Sequence, residues 1–211
     1  MAHRGNFLKE SDKNSLKALG LALNEGFGIE TDLRDLNGRI VISHDPPHEI
    51  SRPISFDKLL EKIASSSKSG RIGLNIKSDG LSAMIESKIK SIGINANRFF
   101  VFDMSIPDTL NYLKRTIPVY SRISDYEPIP PFQSKATGVW IDNFNGSFEQ
   151  VEIARNLISQ GVRVSIVSPE LHGRNHKSLW DKILDSKVYL SPLFELCTDF
   201  PVEAKKLFCT D

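Results

Sequence analysis

Apolar positions along the chain fall into two alternating kinds of stretch. Short runs rich in β-branched and aromatic residues read as strands, and between them apolar residues recur at helical spacing. Strands are predicted over 1–4, 28–33, 40–43, 72–77, 99–103, 119–123, 139–143 and 162–167, with a last one over either 188–190 or 196–199. Helices are predicted over 15–25, 56–66, 81–92, 108–115, 148–160 and 179–185. Gly161 suits a helix stop, because glycine accepts the left-handed conformation common there, and Pro107 suits a first helical turn. This alternation is the pattern of βα units around a parallel sheet. About eight strands with helices between them predict a compact (β/α)8 barrel, with a doubly wound open sheet as the alternative. The barrel is expected to occupy residues 1–211 as a single domain. Pro128-Ile129-Pro130-Pro131 predicts a stiff surface connection, so one βα unit is expected to be irregular.

Charge and composition narrow the function classes. Basic and acidic residues number 27 and 26, and a net charge of +1 excludes a general electrostatic grip on nucleic acid. No apolar run nears the roughly 18–20 residues that span a bilayer, and the amino terminus lacks the order of a secretory signal. A soluble, cytoplasmic protein without a transmembrane segment is the expectation. Cys197 and Cys209 have no ligand spacing, so neither a disulfide framework nor a zinc site is indicated. Nothing in the composition points to an oligomeric state.

The candidate chemistry concentrates in GIETDLRDLNGRIVISHD, residues 28–45. Glu30 and Asp32 stand two apart, so on a strand they share a face. Two carboxylates converging near the top of a barrel need something positive between them, and their oxygens suit magnesium or calcium. The alternative is that both are solvated or paired with a base such as Arg34. His3 ends the first predicted strand, and His44 ends the apolar run that follows the Asn37-Gly38 turn, so a barrel would turn both toward one pocket. Two histidines titrating near neutrality can serve as base and acid in one cycle, each role contributing about 10²- to 10⁴-fold in rate. Arg4 adds a planar fork suited to phosphate oxygens, and Gly5 is expected to let backbone approach a ligand closely.

The order His3-Arg4-Gly5, Asn14-Ser15, Glu30-x-Asp32 and His44-Asp45 resembles the glycerophosphodiester phosphodiesterase family. That family shares a TIM-barrel architecture and acid/base logic with phosphatidylinositol-specific phospholipase C. The match is close over the first quarter of the chain and looser through Leu74-Asn75-Ile76-Lys77 to Thr198-Asp199-Phe200-Pro201. The resemblance implies a catalytic pair in His3 and His44, ligands for one divalent cation, Mg2+ or Ca2+, in Glu30 and Asp32, and phosphate contacts from Arg4 and Lys77. It further implies cleavage of a phosphodiester by attack of a neighbouring hydroxyl on phosphorus, one histidine taking the proton and the other protonating the leaving alcohol. Water then opens the cyclic phosphate. Which histidine takes which role is open. So are two other outcomes: a catalytically silent barrel that binds a phosphorylated ligand, and a lyase that stops at the cyclic phosphate.

Three departures from the family pattern matter. Asn75 stands where the family carries the glutamate that completes its metal site, and a neutral amide oxygen implies weaker metal binding. Lys13 stands where a glutamate often precedes the Asn-Ser/Thr pair. Only residues 46–55 separate His44-Asp45 from the next helix, where many relatives insert a subdomain. The pocket is therefore expected to be open, favouring a phosphodiester within a glycan or lipid head group over a free small molecule such as glycerophosphocholine, with His48 placed in the loop to touch it. Asp103, Arg122, Trp140, Asp142, Ser168, Glu170 and Asp199 fall at later predicted strand ends. Trp140 is the candidate to stack on an apolar or sugar moiety, while Glu170 and His172 read as a polar loop at the rim.

Overall fold

The computed structural model describes residues 1–68 and 70–209, and residues 69, 210 and 211 of the expected domain lie outside them. The chain divides into two compact units, Ala2–Val119 and Tyr120–Asp211 with Met1. Each has its own parallel sheet and its own core.

In the first unit the strands β1 (Ala2–His3), β2 (Ile29–Leu36), β3 (Arg39–Ile42), β4 (Ile72–Ile76) and β5 (Phe99–Phe102) form one sheet. Its parallel order is β1-β2-β4-β5, and β3 folds back antiparallel on β2. Asn37 and Gly38, both at positive φ, close that hairpin; this is the left-handed pair a two-residue turn requires. Helices α1 (Leu16–Asn24), α2 (Phe56–Ala64), α3 (Ser82–Ser91) and α4 (Ile106–Tyr112) follow in the chain. Ser15, Ser55 and Ser105 cap α1, α2 and α4, each accepting a backbone N–H from the first turn. The core takes alternate strand residues, among them Ala2, Ile29, Leu33, Leu74 and Val101, with Leu19, Leu23, Leu60 and Ile85 from the helices.

The second unit aligns β6 (Tyr120–Ile123), β7 (Gly138–Ile141), β8 (Arg163–Val167) and β9 (Phe194–Cys197) in parallel. Helices α5 (Gln150–Ser159), α6 (Lys177–Ser186) and α7 (Pro201–Phe208) carry its remaining apolar residues. No helix joins β6 to β7, as the prolines at 128, 130 and 131 require. Gly161 takes a φ of 79° just past α5. The open choice of last strand is decided in favour of the later segment, and one helix is added. Residues Val188–Leu190 form a 3-10 turn between Lys187, at positive φ, and Ser191, so the last strand is Phe194–Cys197. Residues 201–208 form a helix that was not predicted; Pro201 starts its first turn, and Pro201 and Ala204 are the residues it buries. Among the described residues no helix is long and apolar enough to cross a membrane.

Candidate functional site

Strand register assembles the site. His3 pairs with Glu30, Glu30 with Gly73, and Gly73 with Phe100; one step along, Asp32 pairs with Asn75 and Asn75 with Phe102. Because Ala2, Ile29, Leu33 and Leu74 point into the helix-covered core, strand alternation sends His3, Glu30, Asp32 and Asn75 out on the opposite face. Phe100 and Phe102, fully buried with ring centroids 5.8 Å apart, share that face. Lys77 lies two residues past Asn75, its backbone N–H held by the Leu33 carbonyl.

The turn after β1 brings in the remaining groups. Arg4 adopts a φ of 54°, and its N–H donates to the Glu30 carbonyl at 2.9 Å. Its Nε lies 2.8 Å from Asp32 Oδ2. Gly5 adopts a φ of 99°, and a Cβ there would sit 2.5 Å from the Ala18 carbonyl carbon and 2.7 Å from the Leu19 nitrogen. The glycine thus permits a close approach to the backbone of α1.

Asp32 is fully buried and Glu30 nearly so. Asp32 meets Arg4, and Lys77 Nζ lies 3.6 Å from its Oδ1. Asn14 Nδ2 donates to its Oδ2 at 2.8 Å. Glu30 Oε2 has His3 Nε2 at 3.8 Å, too far for a hydrogen bond. Burial, reinforced by the charge on Asp32, pushes the Glu30 carboxyl from 4.5 up to about 8, against the opposing pull of Arg4 and Lys77. Glu30 therefore ionises near its ordinary value in the unfolded chain but keeps its proton in the cation-free folded state. That contribution to stability is fully present below about pH 4.5 and is lost as pH rises through about 8. In Glu30→Gln the decline of cation-free stability across this window should flatten, as denaturant titrations at several pH values would show; an unchanged slope would mean that Glu30 is ionised throughout.

On this face Glu30 Oε2, Asp32 Oδ1 and Asn75 Oδ1 are buried oxygens without a hydrogen-bond partner. Orphaned buried acceptors are costly, and three hard oxygens together fit a cation such as magnesium or calcium. Among the described residues no cluster of three or more His, Cys, Asp or Glu could hold a metal; beside the two carboxylates the oxygen on this face is that of the neutral Asn75 amide. The donor set fits the cation with one charge fewer than three carboxylates would supply.

Arg34 does not pair with the acids. Its Nε donates to the His44 carbonyl at 2.8 Å and its Nη1 to the Lys77 carbonyl at 3.1 Å, tying the loops after β3 and β4 together. Ser43 N–H donates to the Asp32 carbonyl at 3.1 Å, which sets His44 one residue beyond the carboxylate pair. The His44 side chain is 47 % exposed, and its Nδ1 lies 2.8 Å from Asp45 Oδ1. With Nδ1 as donor, Nε2 is left to accept a proton. His48 is exposed in the following loop, and Asp103 leaves β5 at a φ of 65°.

In the second unit Trp140 is buried on β7, paired in register with Arg122 and Ser165. Arg122 Nε meets Glu127 at 2.5 Å. Asp142 Oδ1 and His172 Nε2 are 2.7 Å apart. Glu170 is occupied in fastening its loop, accepting from Ser168, from Thr198 and from the Asp199 N–H. Sequence reasoning assigned no role to Asn14 or to the Phe100-Phe102 wall. The wall was legible in the alternation of residues 99–102, whereas only the fold brings Asn14 to Asp32.

No family model matches the sequence, and no curated protein matches it. Solved structures do. A candidate glycerophosphodiester phosphodiesterase from Galdieria sulphuraria superposes with a TM-score of 0.77 at 16% identity, over 99% of this chain and 96% of that one. An Oleispira antarctica phosphodiesterase in complex with the product sn-glycerol-3-phosphate gives 0.72 at 16% identity over 99% and 96%. A Ca2+-dependent phosphatidylinositol-specific phospholipase C from Streptomyces antibioticus gives 0.57 at 11% identity over 99% and 95%. Over nearly its whole length, this chain has the mixed α/β fold of glycerophosphodiester phosphodiesterase structures.

Proposed function

We propose that this chain is a (β/α)8-barrel, metal-dependent phosphodiesterase that cleaves a glycerophosphodiester-like substrate by two-histidine acid/base catalysis. The reading is carried by one observation: His3, Arg4, Glu30, Asp32, Asn75 and Lys77 gather on one sheet face, with three orphaned oxygens among them. The likeness to phosphodiesterase structures supports it.

Glu30, Asp32 and Asn75 would hold one Mg2+ or Ca2+, which when bound supplies charge against the phosphoryl oxygens. Arg4 and Lys77, both partly exposed, turn donors toward those oxygens while Asp32 anchors them from behind. One imidazole, His3 or His44, takes the proton of the substrate hydroxyl next to the ester. That oxygen bonds to phosphorus as the bond to the leaving alcohol breaks, and the other imidazole gives the alcohol its proton. Water then opens the cyclic phosphate with the two roles exchanged, so net hydrolysis returns both imidazoles to their starting states. The glycerol phosphate product bound by the Oleispira enzyme supports a small glycerol phosphate moiety at the reacting end, and the short 46–55 loop favours a larger glycan or lipid head group attached to it.

The test is release of alcohol from a glycerophosphodiester with magnesium or calcium present. Binding of glycerol phosphate without any release would instead establish the silent barrel, the reading that Asn75 favours. In an active protein, Asn75→Glu adds the missing charge and should lower the half-saturating cation concentration by at least about tenfold. No change would place Asn75 out of reach of the ion.

A further inference from the structure

One buried polar chain has no role in the scheme above. Asn14, in the loop before α1, takes a φ of 60°, a conformation asparagine tolerates better than most residues. Its N–H donates to the Arg4 carbonyl at 2.9 Å. Its Nδ2 donates to Asp32 Oδ2 at 2.8 Å, and its Oδ1 accepts from Thr31 Oγ1 at 2.8 Å. The amide can point only this way, because a carboxylate accepts and cannot donate. Thr31 and Asp32, both fully buried, are neighbours on β2 and leave it on opposite faces, so Asn14 joins the two faces at the end of the short β1.

The consequence falls on Asp32. Its Oδ2 is held by Arg4 and Asn14, while Oδ1 has no hydrogen-bond partner. Turning the carboxylate would break both contacts to Oδ2. We propose that Asn14 is a positioning residue that, braced by Thr31, locks the Asp32 carboxylate with Oδ2 against Arg4 and the Asn14 amide and with Oδ1, which has Lys77 Nζ at 3.6 Å but no hydrogen bond, toward the cation. The role of Oδ1 rests on the cation reading above; the lock does not.

Three variants test it. Asn14→Gly keeps the left-handed backbone and deletes the amide, Asn14→Asp replaces the donor by an acceptor of the same size, and Thr31→Val removes the brace. Calcium titrations by calorimetry, with thermal unfolding of the cation-free proteins as the control for folding, should show affinity falling about 10- to 100-fold in both Asn14 variants and less in Thr31→Val. A structural role alone would move the unfolding temperature and leave calcium affinity in place. Wild-type affinity in folded Asn14→Gly and Asn14→Asp overturns the proposal. Should the wild type bind no calcium, the cation reading fails, and the crystal structure of a folded cation-free Asn14 variant decides the lock: a rotated Asp32 upholds it and an unmoved Asp32 overturns it.

Discussion

His3→Ala and His44→Ala are each expected to lower kcat by about 10²- to 10⁴-fold, the range for loss of a general acid or base. The smaller figure already corresponds to about 2.7 kcal/mol of barrier. His44 is half exposed, and among the described residues its ring bonds its own neighbour Asp45, so its removal should shift stability by no more than about 0.5 kcal/mol. A large kinetic loss with a small stability change would therefore report chemistry and not unfolding. His3 is buried beside Glu30, and its variant needs an unfolding measurement alongside the kinetics. A substrate with an aryl leaving group assigns the roles, since a phenolate departs without protonation. The variant lacking the acid should recover on that substrate, and the variant lacking the base should not. Full activity in either alanine variant on an alkyl ester would remove that histidine from the mechanism.

Removal of divalent cation should reduce turnover to background, with recovery when magnesium or calcium is restored. Asp32→Asn should abolish the response to added cation. Asp32 forms ion pairs with both Arg4 and Lys77, so neutralising it takes away a ligand charge and also removes a counter-charge from two cationic groups. Breaking one side of a buried pair costs about 3–5 kcal/mol, so circular dichroism must confirm that the variant folds. Glu30→Gln is the gentler companion, because Glu30 keeps its proton to about pH 8 without a cation and the substitution preserves that neutral state. Turnover indifferent to a chelator would end the cation assignment even where both histidines matter.

The sequence pattern located most elements because they are local. Short β-branched and aromatic runs placed β4, β5 and β8 within a residue or two, and apolar residues at helical spacing placed α1, α2 and α4 within two or three. It failed where local signals were too short to decide. Val188–Leu190 is as β-branched and aromatic as a strand, but three residues closed off by Lys187 at positive φ make a turn, and α7 is only eight residues long. The packing of Gly5 against the backbone of Ala18 and Leu19 was not legible either, because it depends on where α1 comes to lie.

By itself the sequence determined that Glu30 and Asp32 share a face, that Asn37-Gly38 turns the chain back, and that His3, Arg4, His44 and Lys77 stand at strand ends, since each follows from backbone geometry over a few residues. Only the tertiary structure decided that Asn75 lies across from Asp32, that Glu30 is desolvated enough to hold its proton, and that Arg4 and Asn14 take one Asp32 oxygen while Lys77 approaches the other. Register, burial and Coulomb interaction depend on separation in space, and these partners lie tens of residues apart along the chain.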